Sequence, residues 1–247
     1  MSPLAVLAAM RPRAGAPGTI VVDGAPHLVP LLARELRRDG KPGAVREGGR
    51  LEHAAACLWV GEPDENKLRD ATLARVPIVA VTEAEDIPYV LATDVVRVRP
   101  GHGFPMDEIA AALARRLGNR GPAVAAALPA LRAAVVDELI AATARRNGLL
   151  AAGLFGPDAD MPVLTLNQVR LVTAIAQSYG LETGRDRALE ALGVVGAGYG
   201  LRAAGREALG RLPAAPWAVK GVLAAAGTKA VGKAARLACE SAVRRGS

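Results

Sequence analysis

Aromatic residues and cysteines are scarce in this sequence of 247 residues. Phe, Trp and Tyr together make up 3% of the chain, although hydrophobic residues make up 51%. Any core must therefore be built mainly from Ala, Val and Leu, and small side chains allow helices to approach one another closely. The two cysteines, Cys57 and Cys239, lie far apart in the sequence. This excludes a disulfide framework and predicts free, buried thiols in a reducing compartment.

Long uncharged stretches are also missing. A helix that crosses a bilayer needs roughly 20 apolar residues, and every uncharged run here is interrupted at about half that length. The apolar N-terminus, Met1 to Met10, has no basic region before it, so we predict an N-terminal arm and not a signal peptide. We expect a cytoplasmic protein that does not span a membrane, with peripheral contact to the inner membrane as an alternative.

The usual sequence patterns of metal and phosphate sites do not occur. The three histidines, His27, His53 and His102, show no ligand spacing, and neither cysteine belongs to a Cys-x-x-Cys pair. The turn after the first predicted strand reads Asp23-Gly24-Ala25-Pro26-His27, without the lysine and hydroxyl of a P-loop. Pro26 also removes a backbone N–H where phosphate needs donors. We therefore predict no metal, no cofactor, no catalytic residues and no enzymatic activity.

The first half of the chain alternates short β-branched runs with amphipathic stretches. Strands are predicted at residues 18–22, 54–60, 77–82 and 95–98, and helices at residues 26–38, 64–75 and 106–117. Such alternation indicates right-handed crossovers and a parallel sheet. We predict a small three-layer α/β domain over residues 15–119.

Helical periodicity replaces the β-branched runs after residues 119–122, where Gly121-Pro122 ends a helix and redirects the chain. Helices are predicted at residues 122–146, 165–180, 183–211 and 216–245. Thr165 and Gln168 have the spacing of a capping box at the start of the second of these. The fold class is therefore α/β plus all-α, with residues 120–247 forming a helical hairpin or bundle.

All of the surplus positive charge lies in the last quarter of the sequence. Residues 183–247 contain eleven basic and four acidic residues, whereas basic and acidic residues balance in the rest. Four basic residues share one side of the last predicted helix, with Glu240 between two of them: Lys229, Lys233, Arg236 and Arg244. This pattern favours contact with an anionic surface, and a solvated outer face is the alternative. Nucleic acid is not expected as a partner, because no aromatic residues are interleaved with the charge.

An ordered series of motifs, spread from Ala123 to Ala242, carries a family resemblance. The motifs are Met161-Pro-Val-Leu-Thr-Leu-Asn-Gln-Val-Arg-Leu-Val172, Tyr179-Gly180, Leu192-Gly193-Val-Val-Gly196, Trp217-Ala-Val-Lys220 and Gly227-Thr228-Lys229-Ala230-Val-Gly232. The series resembles the bacterial domain-of-unknown-function family that occurs in YcjF-like proteins and is fused to Era-like small GTPases. The resemblance implies an all-helical module that associates with GTPases and, in some members, with the inner membrane.

The first half is then similar to a reduced GTPase-like domain. Residues 77–82 stand where such a domain carries the guanine-reading Asn-Lys-x-Asp, and this chain has Thr82-Glu83-Ala84-Glu85-Asp86. With the phosphate loop also missing, the resemblance implies a degenerate pseudo-GTPase domain.

These observations predict a non-catalytic scaffold or adaptor. Its partner would be a protein, either a GTPase or a second copy of the chain, and contact with an anionic membrane is a further option. Asn167, Gln168 and Arg170 are predicted to meet the partner from one helix face.

The alternative function is binding of a nucleotide or small ligand without efficient hydrolysis. Parallel sheets place ligands at the carboxyl ends of their strands. The residues predicted for this role are Asp23, Gly24, Thr82, Gly101 and Gly103.

Overall fold

The computed structural model of the chain describes residues 18–99, 101–153, 161–181 and 216–246. The described residues form two compact units, one ending at Glu138 and the other beginning at Leu139. The predicted class, α/β plus all-α, is confirmed. The boundary between the units, at Glu138 and Leu139, lies inside the helix Pro129–Gly153. The sequence predicts the boundary near Gly121. The helix predicted at residues 183–211 lies outside the described residues.

The first unit is built on a five-stranded parallel sheet. Its strands are β1 (Ile20–Gly24), β2 (Val45–Glu47), β3 (Ala56–Val60), β4 (Ile78–Thr82) and β5 (Val95–Arg97). Their spatial order is β2-β1-β3-β4-β5. Four of these strands were predicted. The edge strand β2 was missed, because only Val45 of its three residues is buried and no alternating pattern results.

Helices cover both faces of this sheet. They are α1 (Val29–Arg37), α2 (Glu65–Leu73) and α3 (Met106–Leu117), and a short helix α4 (Gly121–Ala127) follows them. On one face, Val21 and Trp59 pack with Leu68 of α2 in an apolar cluster. The neighbouring strand positions, such as Leu58, are fully buried on the opposite face, against which α1 and α3 pack. The predicted three layers are therefore present.

The single helix predicted at residues 122–146 is two helices. Helix α4 ends at Ala127, and α5 (Pro129–Gly153) begins after Leu128, whose φ is −127° and ψ 92°. Proline disfavours the helical conformation in the residue before it, which explains the break. Helix α4 belongs with the sheet, because the Lys41 backbone N–H donates to the Ala127 carbonyl at 2.8 Å.

Helix α6 (Met161–Ser178) begins before the predicted start. Thr165 therefore lies inside the helix, and the predicted capping box is wrong. The end of the helix was predicted correctly: Gly180 has a φ of +70°. The Leu181 N–H then donates to the Ala176 carbonyl at 3.1 Å, a bond typical of helix ends at glycine.

The second unit also contains α7 (Pro216–Gly246), which extends the prediction for residues 216–245 by one residue. Helices α5 and α7 approach closely at two glycines: a Cβ added to Gly221 would lie 2.9 Å from the Gly148 carbonyl oxygen. Further along, a Cβ on Gly232 would lie 2.6 Å from Cγ1 of Ile140. Residue numbers rise along α7 and fall along α5 from the first contact to the second, so the two helices are antiparallel. Within the described residues, no helix combines the length and hydrophobicity that crossing a bilayer requires.

Candidate functional site

The carboxyl edge of the sheet is the first candidate, because the connections from β1 and β3 leave in opposite directions there. Gly24 has a φ of +130°, and a Cβ added to it would lie only 2.0 Å from the Val60 carbonyl oxygen. The Ala25 N–H donates to the same oxygen at 2.8 Å. The turn that leaves β1 is therefore packed against the end of β3, and a side chain at position 24 has no room there.

Three backbone donors of this turn, the N–H groups of Gly24, Ala25 and Leu28, already have acceptors. The Gly24 N–H donates to Oδ1 of Asp23 at 2.8 Å. The Ala25 N–H is bound to β3, Pro26 has no N–H, and the Leu28 N–H donates to the Ala25 carbonyl at 2.9 Å. A phosphate group would need these donors to be free. The turn is thus organised around its own hydrogen bonds.

Asp23 is the centre of a small charged cluster. Its Oδ1 accepts a hydrogen bond from Nζ of Lys67 at 3.0 Å. The same Nζ lies 5.7 Å from the centre of the Trp59 ring, a cation–π distance. Below the cluster, burial together with the nearby Asp23 charge raises the pKa of the Cys57 thiol to about 12. Cys57 is therefore protonated at neutral pH and is a poor nucleophile.

The remaining predicted ligand residues do not extend this cluster. Thr82 is buried, and its Oγ1 accepts a hydrogen bond from the Ala84 N–H at 3.1 Å, which shapes the loop after β4. Gly101 and Gly103 lie in an exposed loop with no atom within 4 Å of an added Cβ. In the described part of the chain, no group of three or more acidic, histidine or cysteine side chains is placed to hold a metal ion.

In the helical unit, two of the predicted partner residues are buried. Asn167 is 7% exposed and Gln168 is 0% exposed, whereas Arg170 is exposed. The prediction that all three meet a partner from one exposed helix face is therefore not supported for Asn167 and Gln168. The pattern of α6 alone did not reveal this, because their partners lie on other helices.

These two amides join Asn147 of α5 and Thr228 of α7 in a buried cluster, which we call the polar layer. The Asn147 amide donates to Oγ1 of Thr228 at 2.9 Å, and the Asn167 amide donates to Oδ1 of Asn147 at 2.8 Å. The Gln168 amide reaches the same Thr228 oxygen at 3.3 Å. Thr228 in turn donates to the Ala224 carbonyl at 2.7 Å. The polar layer therefore links α5, α6 and α7.

One of the four predicted basic contacts is occupied within the chain. Nε of Arg236 donates to Oε1 of Glu240 at 2.8 Å, and the Tyr179 hydroxyl donates to the same oxygen at 3.0 Å. These two hydrogen bonds lower the pKa of Glu240. Burial, and then the hydrogen bond to Glu240, raise the pKa of Tyr179 to about 12. Arg236 is thus engaged in an ion pair within α7, with the same carboxylate that binds the Tyr179 hydroxyl.

The other three basic residues are exposed on α7, as predicted: Lys229, Lys233 and Arg244. Val222 and Leu237 lie on the same side of the helix, because neighbouring members of this set of five are four or seven positions apart. Val222 is 68% exposed and Leu237 is 61% exposed. We call these five residues the outer face of α7. The sequence pattern alone does not reveal the two apolar residues, because their exposure is clear only once the buried side of the helix is known.

Comparison of the chain with family models, with curated proteins and with solved structures finds no match.

Proposed function

We propose that this protein is a non-catalytic adaptor that rests on an anionic membrane surface through the outer face of α7. The observation that carries the proposal is the combination of Lys229 and Lys233, one turn apart and exposed, with exposed Val222 and Leu237 beside them. A helix with basic and apolar residues on one exposed face is suited to the boundary between lipid headgroups and acyl chains.

Both parts of the outer face contribute to this binding. Each lysine near an anionic bilayer contributes about 1 kcal/mol. Moving a Val or Leu side chain out of water contributes about 1.5–3 kcal/mol when burial is complete. The surplus of basic residues in residues 183–247 would add long-range attraction. The family resemblance, with members at the inner membrane, is consistent with this surface.

The sheet unit supports the non-catalytic part of the proposal. Asp23 is paired with Lys67, and the Gly24 and Ala25 donors are bound within the chain. Nucleotide or small-ligand binding at the strand ends remains the competing function. Calorimetry of the full chain with GTP, GDP and ATP distinguishes the two, because heat of binding from any of these would favour the competing function.

Co-sedimentation with vesicles tests the membrane proposal. The full chain should bind vesicles of phosphatidylglycerol and phosphatidylcholine, and not phosphatidylcholine alone, with weaker binding at high salt. The double variant Lys229→Gln/Lys233→Gln should bind about thirtyfold more weakly, which corresponds to about 2 kcal/mol. Lys41→Gln/Lys220→Gln is the matched control, since both lysines are exposed outside the outer face and the net charge changes equally.

Three results would contradict the proposal. They are equal binding to neutral vesicles, no binding to either kind, and equal losses in the two double variants. No vesicle binding, combined with a protein partner whose capture requires Lys229 and Lys233, would assign the same face to a protein contact.

A further inference from the structure

The polar layer has no role in the proposed function, and it is not arranged for greatest stability. Buried amides are unfavourable unless they are fully hydrogen-bonded. Oε1 of Gln168, which lies in the layer, has no hydrogen-bond partner among the described residues, and neither does Oγ1 of nearby Thr173 on the same helix. Apolar side chains of similar size would fill the same space without this cost. The layer must therefore contribute something other than stability.

The surface of α7 that faces the other helices consists mainly of small side chains. Its buried residues are mostly small and recur every three or four positions, as Gly221, Ala224, Val231, Gly232 and Ala235 show. Such a surface offers few large side chains to fix its position. The glycines set how closely α5 and α7 approach, because a Cβ at position 221 would lie 2.9 Å from the Gly148 oxygen. The polar layer adds contacts that depend on the position of one residue, Thr228.

The hydrogen bonds that link Asn147, Gln168 and Thr228 form in one register alone. Thr228 accepts from Asn147 of α5 and from Gln168 of α6, so it is fixed relative to both helices. A shift of α7 by one turn, about 5.4 Å, would separate Thr228 from both amides and leave them buried without a partner. A single polar position is known to fix helix register in this way in coiled coils.

We infer that the polar layer positions α7 in one register against α5 and α6. This role does not depend on the proposed membrane contact, because it concerns the inner side of α7. It has a consequence at the end of the unit, where the Tyr179 hydroxyl meets Glu240 at 3.0 Å only in that register. Tyr179 therefore reports the position of α7.

The test replaces the layer with apolar residues of similar size, in the full chain, as Asn147→Leu/Asn167→Leu/Gln168→Met/Thr228→Val. Tyrosine side chains labelled with carbon-13 are followed by NMR as the pH is raised to about 11, and Tyr179→Phe identifies the signal. In the natural chain Tyr179 should stay protonated, since its pKa is raised to about 12. In the fourfold variant we expect titration near the usual value of about 10, or several Tyr179 signals.

A matched control is Thr173→Val, which removes a buried hydroxyl outside the layer and should leave the Tyr179 titration unchanged. The thermal midpoint of the fourfold variant should equal or exceed that of the natural chain. A folded fourfold variant with one Tyr179 signal and the natural titration would overturn the inference. An unfolded fourfold variant would overturn it too, because the layer would then be needed for stability itself.

Discussion

The two units of this protein are specified by different interactions. The sheet unit buries branched apolar residues, such as Ile20, Leu58 and Val79, completely on both faces of its strands. The helical unit brings its helices together through glycine contacts, as at Gly148 and Gly221, and places amides where a core is usually apolar. Burial of apolar area stabilises the first unit, whereas close approach and polar matching select the arrangement of the second.

The largest expected difference between the units is in thiol reactivity, because each unit contains one buried cysteine. Burial raises the pKa of Cys57 to about 12, which lowers its thiolate fraction about a thousandfold relative to a free cysteine. Cys239 is also buried but is 8% exposed against 2% for Cys57, so at low urea we expect Cys239 to react with a thiol reagent before Cys57 does. Cys57→Ala and Cys239→Ala assign the two rates. Equal rates would mean that both units open together.

The next largest effect is expected from Gly24→Ala in the sheet unit. The new methyl group would meet the Val60 carbonyl at 2.0 Å, at a φ of +130° that L-residues rarely adopt. We expect a loss of about 4 kcal/mol in the free energy of unfolding. Gly43→Ala is the control, since φ is +78° but the space is open, and it should cost about 1–2 kcal/mol. Similar losses for Gly24→Ala and Gly43→Ala in urea denaturation would contradict the close contact between Gly24 and Val60.

In the helical unit, Asn147→Ala should have a smaller effect. The change leaves the Asn167 amide without its acceptor and removes one donor from Thr228. An unsatisfied buried amide costs about 2 kcal/mol, measured as a shift in the urea midpoint. Asn66→Ala is the control, because Asn66 is an exposed residue of α2. We expect this control to change the free energy of unfolding by no more than about 0.5 kcal/mol. A loss no greater than that of the control would mean that the hydrogen bonds of Asn147 in the polar layer are not formed.

The smallest effect is expected from Tyr179→Phe, which removes one hydrogen bond to Glu240 and costs about 1 kcal/mol near neutral pH. The pKa of Tyr179 is raised to about 12 in the folded chain, against about 10 when unfolded. The contribution of the Tyr179 hydroxyl to the free energy of unfolding is therefore complete below about pH 10, and it is lost as the pH rises through about 12. Urea denaturation at several pH values should show the difference between the two proteins narrowing over this range. A constant difference would contradict the contact.

The sequence predicts the sheet unit better than the helical unit, and the reason is physical. Buried strands such as residues 54–60 produce continuous apolar runs, which are local signals. The break at Leu128 was missed, because one helix was predicted over residues 122–146, although Pro129 restricts the residue before it. The burial of Gln168 was missed too, since it depends on Thr228, which lies 60 positions away. Its spacing from Thr165 imitates a capping box, although both lie inside α6.

In the candidate sites, too, local features were predicted and contacts between distant residues were not. Helical spacing was enough to predict that Lys229 and Lys233 share an exposed side, and Pro26 was enough to predict a turn poor in phosphate donors. Spacing could not show that Glu240 accepts hydrogen bonds from both Arg236 and Tyr179, because the tyrosine lies 61 positions away, just after α6. Contacts between distant segments decide which charges are available.

The contact between Gly24 and the end of β3 also limits what protein engineering could achieve here. Any loop grafted into residues 23–28 would have to keep glycine at position 24, since the Val60 oxygen occupies the room that a side chain there would need. A side chain at this position would first require the end of the neighbouring strand to move. In this turn, backbone geometry limits which positions a redesign could change.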